Sequence, residues 1–269
     1  MASLHYRTIW LSDIHLGSRG CNAEFLLDFL TQVEAERLYL VGDIIDFWKL
    51  KNGWYWPKLQ NEVVRNVLQK AANGTEVIYI PGNHDEFFRD YVGKNFGGIR
   101  IEAQAIHVTE DGRRFLVLHG DEFDSIVCHS KWVALIGGHA YDMLLVFNRW
   151  FNFFRRKLGF PYWSLSAYLK HKVKNAVNFI SNYEQALVHE AKRQGVGGII
   201  CGHIHKATVE DFEGVLYCNT GDWVESCTAL VENKAGQLAI LHWADESVFL
   251  INEDAPASIE RKRRLVSTN

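Results

Sequence analysis

Short apolar runs rich in β-branched and aromatic residues recur along the chain: Thr8-Ile9-Trp10-Leu11, Leu38-Tyr39-Leu40-Val41, Val77-Ile78-Tyr79-Ile80, Phe115-Leu116-Val117-Leu118 and Gly198-Ile199-Ile200-Cys201. Their unbroken apolar character predicts strands of a sheet buried on both faces. Between the first three lie helical patterns. Glu24 to Glu36 places Phe25, Leu26, Phe29, Leu30 and Val33 on one face, and Asn61 to Ala72 does the same with Val63, Val64, Val67 and Leu68. Strand and helix in alternation predict a layered α/β architecture. After Gly214 the runs shorten to Val215–Cys218, Cys227–Glu232 and Leu238–Leu241, which read as a second, antiparallel-leaning sheet packed on the first.

The interval from Met143 to Tyr183 differs in kind. It contains no Asp or Glu, while Arg149, Arg155, Arg156, Lys157, Lys170, Lys172 and Lys174 are interleaved with aromatic residues. Its apolar positions recur at helical spacing, so residues 125–190 are expected to form a helical insertion within a single domain spanning 1–269. The end, 252–269, with Pro256 and Arg261-Lys262-Arg263-Arg264, reads as a tail.

With 269 residues, 48% hydrophobic, the chain can bury a sizeable core. A net charge of -3 lacks the basic excess of a general nucleic-acid binder, so no nucleic-acid partner is expected. The five cysteines (21, 128, 201, 218 and 227) are odd in number and scattered, which suits reduced thiols in a cytoplasmic protein. The stretch before Asp13 is too short and too charged for a signal peptide, and the longest apolar region, Trp132 to Phe147, is interrupted by His139 and Asp142, so no bilayer span is expected.

Five short segments carry the chemistry, each just after one of the strand-like runs: Asp13-Ile14-His15, Gly42-Asp43, Gly82-Asn83-His84-Asp85, His119-Gly120 and Gly202-His203-Ile204-His205. Open α/β sheets bind their ligands at the carboxyl ends of strands. Carboxylates and imidazoles with one amide and no thiolate favour borderline divalent ions such as Mn²⁺, Fe²⁺, Co²⁺ or Zn²⁺. In order and spacing the set resembles the calcineurin-like metallophosphoesterases, which implies a four-layer αββα sandwich of two mixed sheets with a helical cap insertion. The resemblance further implies two divalent ions, Mn²⁺ first among them, one held by Asp13, His15, Asp43 and His205 and the other by Asp43, Asn83, His119 and His203. A shared carboxylate suits two cations about 3.5–4 Å apart that activate water for in-line attack at phosphorus.

His84 is implied to stand over the substrate phosphate or protonate the leaving oxygen, with support of neighbouring ligands as the alternative, and Asp85 is implied to orient His84 through a hydrogen bond. Asp46 either orients a ligand histidine or caps the following helix. His5, His107, His129, His139, His171, His189 and His242 lack ligand spacing and read as ordinary surface or core residues. The basic, aromatic insertion suggests a substrate both anionic and greasy, or an interfacial membrane contact, against the plainer reading of an amphipathic helical pair.

Together with Gly42-Asp43-Ile44-Ile45-Asp46-Phe47-Trp48 and His119-Gly120-Asp121, that insertion makes the chain similar to the bacterial UDP-2,3-diacylglucosamine hydrolases of lipid A biosynthesis and their relatives. The similarity implies a lipid-linked substrate, basic contacts to its diphosphate from Lys170 and Lys172, and a place in the cytoplasm, peripheral on the inner membrane. Those hydrolases typically carry Arg after the metal-binding Asn, where this chain has His84. A phosphoesterase for a soluble nucleotide or phosphorylated metabolite is the second reading, and a non-catalytic scaffold the third.

Overall fold

In the computed structural model, residues 4–124 and 165–244 are described, with only the backbone course given for 165–178. Most of the expected 125–190 insertion, the Trp132–Phe147 run and the 252–269 tail lie outside these residues, as does Cys128. The remaining four cysteines are free thiols. The described residues form two compact units divided after Asp121 and before Leu187. No described helix is long and apolar enough to cross a membrane.

The first unit is built on two mixed sheets. One contains β1 (Leu4–Leu11), β2 (Val33–Val41), β3 (Glu76–Ile80), β4 (Asn95–Phe96), β5 (Ile99–Ile101), β11 (Thr228–Glu232) and β12 (Leu238–His242), in the order β12-β11-β1-β2-β3-β5-β4. The other contains β6 (Ala105–Val108), β7 (Arg114–Val117), β8 (Gly198–Cys201), β9 (Thr208–Phe212) and β10 (Val215–Asn219), in the order β6-β7-β8-β10-β9. Strands β1, β2 and β3 run parallel, as do β7, β8 and β10.

Period-two alternation sorts each strand's side chains between layers. Trp10, Tyr39, Val41, Ile78, Ile80 and Leu230 meet Phe115, Val117, Ile200 and Cys218 in a core between the sheets. Ile9, Leu11, Leu38, Leu40, Val77, Tyr79, Ala229 and Val231 face the other way, onto Leu26, Phe29 and Leu30 of α1 (Ala23–Gln32) and Val63 and Val67 of α3 (Lys58–Ala72). On the outer face of the second sheet Leu116, Ile199 and Tyr217 are buried, as are Leu187, Val188 and Ala191 near the end of α4 (Leu165–Gln194). This is the expected αββα arrangement.

Two expectations require correction. The three runs after Gly214 do not share a sheet: β10 completes the second, while β11 and β12 extend the first, β11 pairing antiparallel with β1. Hydrophobic alternation reports burial but does not name the pairing partner. The first helix ends at Gln32 and not at Glu36, because Val33 to Glu36 already belong to β2, where Val33, Glu34 and Ala35 pair with Leu4, His5 and Tyr6. Pairing outweighs the weak helical propensity of β-branched Val33.

Candidate metal centre

The five segments leave the carboxyl ends of β1, β2, β3, β7 and β8, so both sheets point their ligand loops at one place. Backbone hydrogen bonds lock these loops to one another. Asp13 N donates to Gly42 O (3.0 Å), His15 N to Asp43 O (2.9 Å), Gly202 N to His119 O (3.2 Å) and Trp223 N to Asp13 O (3.1 Å). Space is tight: a Cβ on Gly82 would stand 2.7 Å from Asp43 N and from His119 Cδ2, and one on Gly202 2.5 Å from Asp13 Oδ2.

Five of the predicted ligands, Asp13 (φ 51°), His15 (55°), Asp43 (54°), His203 (71°) and His205 (55°), have left-handed backbone conformations. Each such residue costs about 1–2 kcal/mol relative to ordinary backbone, and this kind of strain gathers where surroundings over-determine a functional geometry. No composition or spacing signal announces it.

The side chains of six of the seven candidate ligands gather in two groups. Asp13, His15 and His205 form one group whose ligand-type atoms lie within 4.8 Å of one another, and Asp43, His119 and His203 form another. His205 Nε2 is 3.1 Å from Asp13 Oδ1. Asp43 Oδ2 stands between the groups, 3.5 Å from His119 Nε2 and 3.9 Å from both His15 Nε2 and His84 Nε2. His119 Nδ1 donates to the Val41 carbonyl (3.0 Å), which fixes the ring with its Nε2 toward Asp43.

Burial opposes every charge here, and pairing overcomes it. Burial would raise the Asp43 carboxyl, but His119 beside it holds it down at about 2. Burial would depress the imidazoles, yet Asp43 lifts His119 to about 10 and Asp13 lifts His205 to about 9. Asp13, balanced against His205, lies well below the usual carboxylate range. A donor set under such electrostatic pressure suits a divalent cation. His15 Nε2 and Asn83 Oδ1, both buried, have no hydrogen-bond partner among the described residues, as metal-ligating atoms would not.

Around this set lies a supporting shell. Asp46 answers both alternatives posed for it. Its Oδ1 accepts from Lys49 N (2.9 Å), capping α2 (Phe47–Asn52), and from His84 Nδ1 (3.0 Å), while its Oδ2 lies 3.4 Å from His15 Nδ1. Trp48 packs its ring over His84, centroids 4.1 Å apart.

Asp85 is a correction: its carboxylate does not touch His84. It is fully buried and accepts from Gly82 N (2.6 Å), Ile44 N (2.7 Å), Ile45 N (3.3 Å), Asp43 N (3.3 Å) and the Tyr79 hydroxyl, tying the second and third segments together. Burial pushes its carboxyl above the ordinary value.

Sequence reasoning also missed a contribution from residues 219–223. Ser12 Oγ hydrogen-bonds Asp13 Oδ2 and Thr220 Oγ1 (2.5 Å), and Asn219 Nδ2 donates to Gly202 O (2.6 Å). Position after a strand was the available signal, since this stretch follows β10 as the ligand segments follow theirs. Lys170 and Lys172 fall on α4, where side chains lie outside the described residues.

A family model described as calcineurin-like phosphoesterase matches residues 6–207, from before Asp13 to beyond His205. The chain belongs to this family. It is a phosphoester hydrolase of the calcineurin-like type, and the family's use of divalent metal agrees with the paired ligand groups. The UDP-2,3-diacylglucosamine hydrolase of Vibrio atlanticus (strain LGP32) is 25% identical over 238 residues, covering 84% of this chain and 93% of the relative. That of Haemophilus influenzae (strain PittGG) is 24% identical over 250 residues, covering 86% and 97%. Among solved structures, the E. coli phosphoesterase Yfce aligns with 87% of this chain and 98% of its own, at 15% identity and a TM-score of 0.41.

Proposed function

We propose that this phosphoesterase hydrolyses a pyrophosphate or phosphoester bond in a lipid-linked nucleotide. UDP-2,3-diacylglucosamine is the substrate to test first, giving UMP and 2,3-diacylglucosamine 1-phosphate. Asp13, His15, Asp43 and His205 would hold one divalent ion and Asp43, Asn83, His119 and His203 a second, Mn²⁺ being the first choice. When bound, such a pair supplies Lewis acidity at phosphorus and makes water a competent nucleophile near neutral pH.

The chain's own residues do the rest. Asp43 sets the register between the two ligand groups through its central Oδ2. His84, its Nδ1 hydrogen-bonded to Asp46, turns Nε2 toward Asp43 and so toward the place of reaction, where it passes a proton to the departing oxygen. Trp48 packs against the ring and helps hold its orientation.

The observation that carries the reading is the meeting of two carboxylate–imidazole groups at Asp43, with His84 beside them. The lipid-linked substrate is supported by the names of the two relatives, which align over most of their length. It brings with it the peripheral location on the cytoplasmic face of the inner membrane and the diphosphate contacts from Lys170 and Lys172. A soluble nucleotide or phosphorylated metabolite is the alternative, favoured by His84 standing where the named hydrolases typically carry Arg.

Protein purified with Mn²⁺ is expected to release UMP from UDP-2,3-diacylglucosamine, and Asp43→Asn to abolish this while the circular dichroism spectrum stays native. Turnover of soluble esters alone would overturn the lipid reading. Unchanged turnover in Asp43→Asn would overturn the site.

A further inference from the structure

α2 has two working faces. Trp48 lies over His84 on one; Phe47 and Leu50, at i and i+3, lie on the other, with Lys51 between the two. That second face opens onto a cleft of about 390 Å³ lined by Ile45, Phe47, Leu50, Lys51, Trp54 and Trp56, a volume within the range of small-molecule sites. The mechanism uses none of these side chains. Trp54 is 79% exposed, and its ring stands over that of Trp56 with centroids 6.1 Å apart and planes within 30°. No acidic residue occurs between Asp46 and Glu62.

The lining selects its occupant. A nucleobase or sugar brings donors and acceptors that need partners, and burying them unpaired is costly. Five of the six walls are hydrocarbon or indole, and Lys51 can lay its methylene stem along the cleft while its ammonium stays in solvent. A saturated chain makes no such demand, and it would cover an indole that now faces water.

The cleft is also joined to the candidate metal centre. Phe47 N donates to His84 O (3.2 Å), Asp46 caps the helix that forms the wall, and Ile45 N donates to the buried Asp85 carboxylate (3.3 Å). From these features we infer that the α2 cleft is a subsite for a hydrocarbon chain of the phosphorylated substrate, lying on the catalytic core itself and one helix face away from His84. The inference rests on the hydrolase reading above.

The test uses butyl-, hexyl- and octylphosphonate, whose P–C bond is not hydrolysed, with binding to the full-length Mn²⁺-loaded protein measured by calorimetry. Each added methylene is expected to tighten binding by up to roughly fourfold until the cleft fills. Trp54→Ala, at an exposed position that does not threaten the fold, is expected to weaken octylphosphonate on the order of tenfold and to leave butylphosphonate within about twofold. Leu50→Ala should act in the same direction. A flat series in wild-type protein, or a slope surviving both substitutions, would overturn the subsite. Mn²⁺-dependent hydrolysis of bis(p-nitrophenyl) phosphate separates the two claims. Hydrolysis with a flat series sinks the cleft alone, and no hydrolysis with a steep series sinks the hydrolase reading and leaves the cleft a hydrocarbon-binding site without the substrate role inferred for it.

Discussion

Asp46 joins two imidazoles and a helix terminus through one carboxylate, and replacing it with Asn separates these duties. The amide keeps one acceptor oxygen, and Asn caps helices about as well as Asp, so the bond from Lys49 N survives. Its nitrogen then takes the place of Oδ2 and, as a donor, faces His15 Nδ1, now 3.4 Å from that oxygen, while Oδ1 still accepts from Lys49 N and His84 Nδ1. The His15 ring has to move its proton to Nε2 or turn away. The shift would block Nε2 as a ligand. Loss of such an orienting partner typically costs about 10–100-fold in metal affinity or activity. Asp46→Asn should therefore lose kcat/KM, Mn²⁺ affinity or both by that factor with Tm nearly unchanged. Asp46→Ala should lose activity similarly and also about 1 kcal/mol of stability from the missing cap, a Tm drop of about 2–4 °C in a chain of this size. Calorimetric Mn²⁺ titration, steady-state hydrolysis and thermal melts on the three proteins decide it. An Asn variant with full turnover and unaltered metal affinity would refute the argument.

Two further outcomes follow from groups buried elsewhere. Asp85→Ala strands Gly82 N, Ile44 N and the Tyr79 hydroxyl without their acceptor, and at about 1–3 kcal/mol for each buried unsatisfied donor it should lower the urea midpoint by at least as much as any ligand substitution. A native midpoint with dead activity would instead return Asp85 to a role in the reaction. Glu232, fully buried against His107, Arg7 and Thr8, has its carboxyl held near 2 against 4.5 in the open chain: burial raises it, and the hydrogen bond from His107 leads the groups that lower it. His107, depressed below 6.5 chiefly by burial, favours the neutral ring in the fold. Both groups bind protons more readily when unfolded, so their contribution is present above about 6.5, begins to fall as His107 protonates in the unfolded chain, and falls further from 4.5 toward 2. Urea titrations from pH 7.5 to 4 should show wild-type stability declining more steeply than that of His107→Gln, which removes the first of these titrations and weakens the second, and parallel slopes would contradict this account.

The candidate ligand segments are legible because each is a short string at the end of a strand whose apolar run is itself visible. Asp13, His15, Asp43, Asn83, His119, His203 and His205 needed no knowledge of pairing to be picked out. What stayed hidden depends on pairing. β10 and β11 are neighbours in sequence but lie in different sheets, and nothing in Val215–Cys218 or Cys227–Glu232 names the partner strand. Ser12, Asn219 and Thr220 support the site only because β10 ends beside β8. The resemblance implies that Asp85 orients His84, and the string Gly82-Asn83-His84-Asp85 carries no sign of any other partner. A buried loop with several free N–H groups pulls in any nearby carboxylate, and Asp85 turned toward Asp43, Ile44 and Ile45 instead.

The left-handed backbone at Asp13, His15, Asp43, His203 and His205 bears on ion selectivity. Loops that wrap around a cation adjust to its radius and so accept several. Here the torsions are imposed by two sheets and cross-linked by backbone hydrogen bonds, so the scaffold would template the arrangement of donors offered to an ion. Discrimination between a larger and a smaller divalent ion would then be a property of the spacing between the sheets, and a substitution in the Trp10–Phe115–Ile200 core would retune it without touching a candidate ligand.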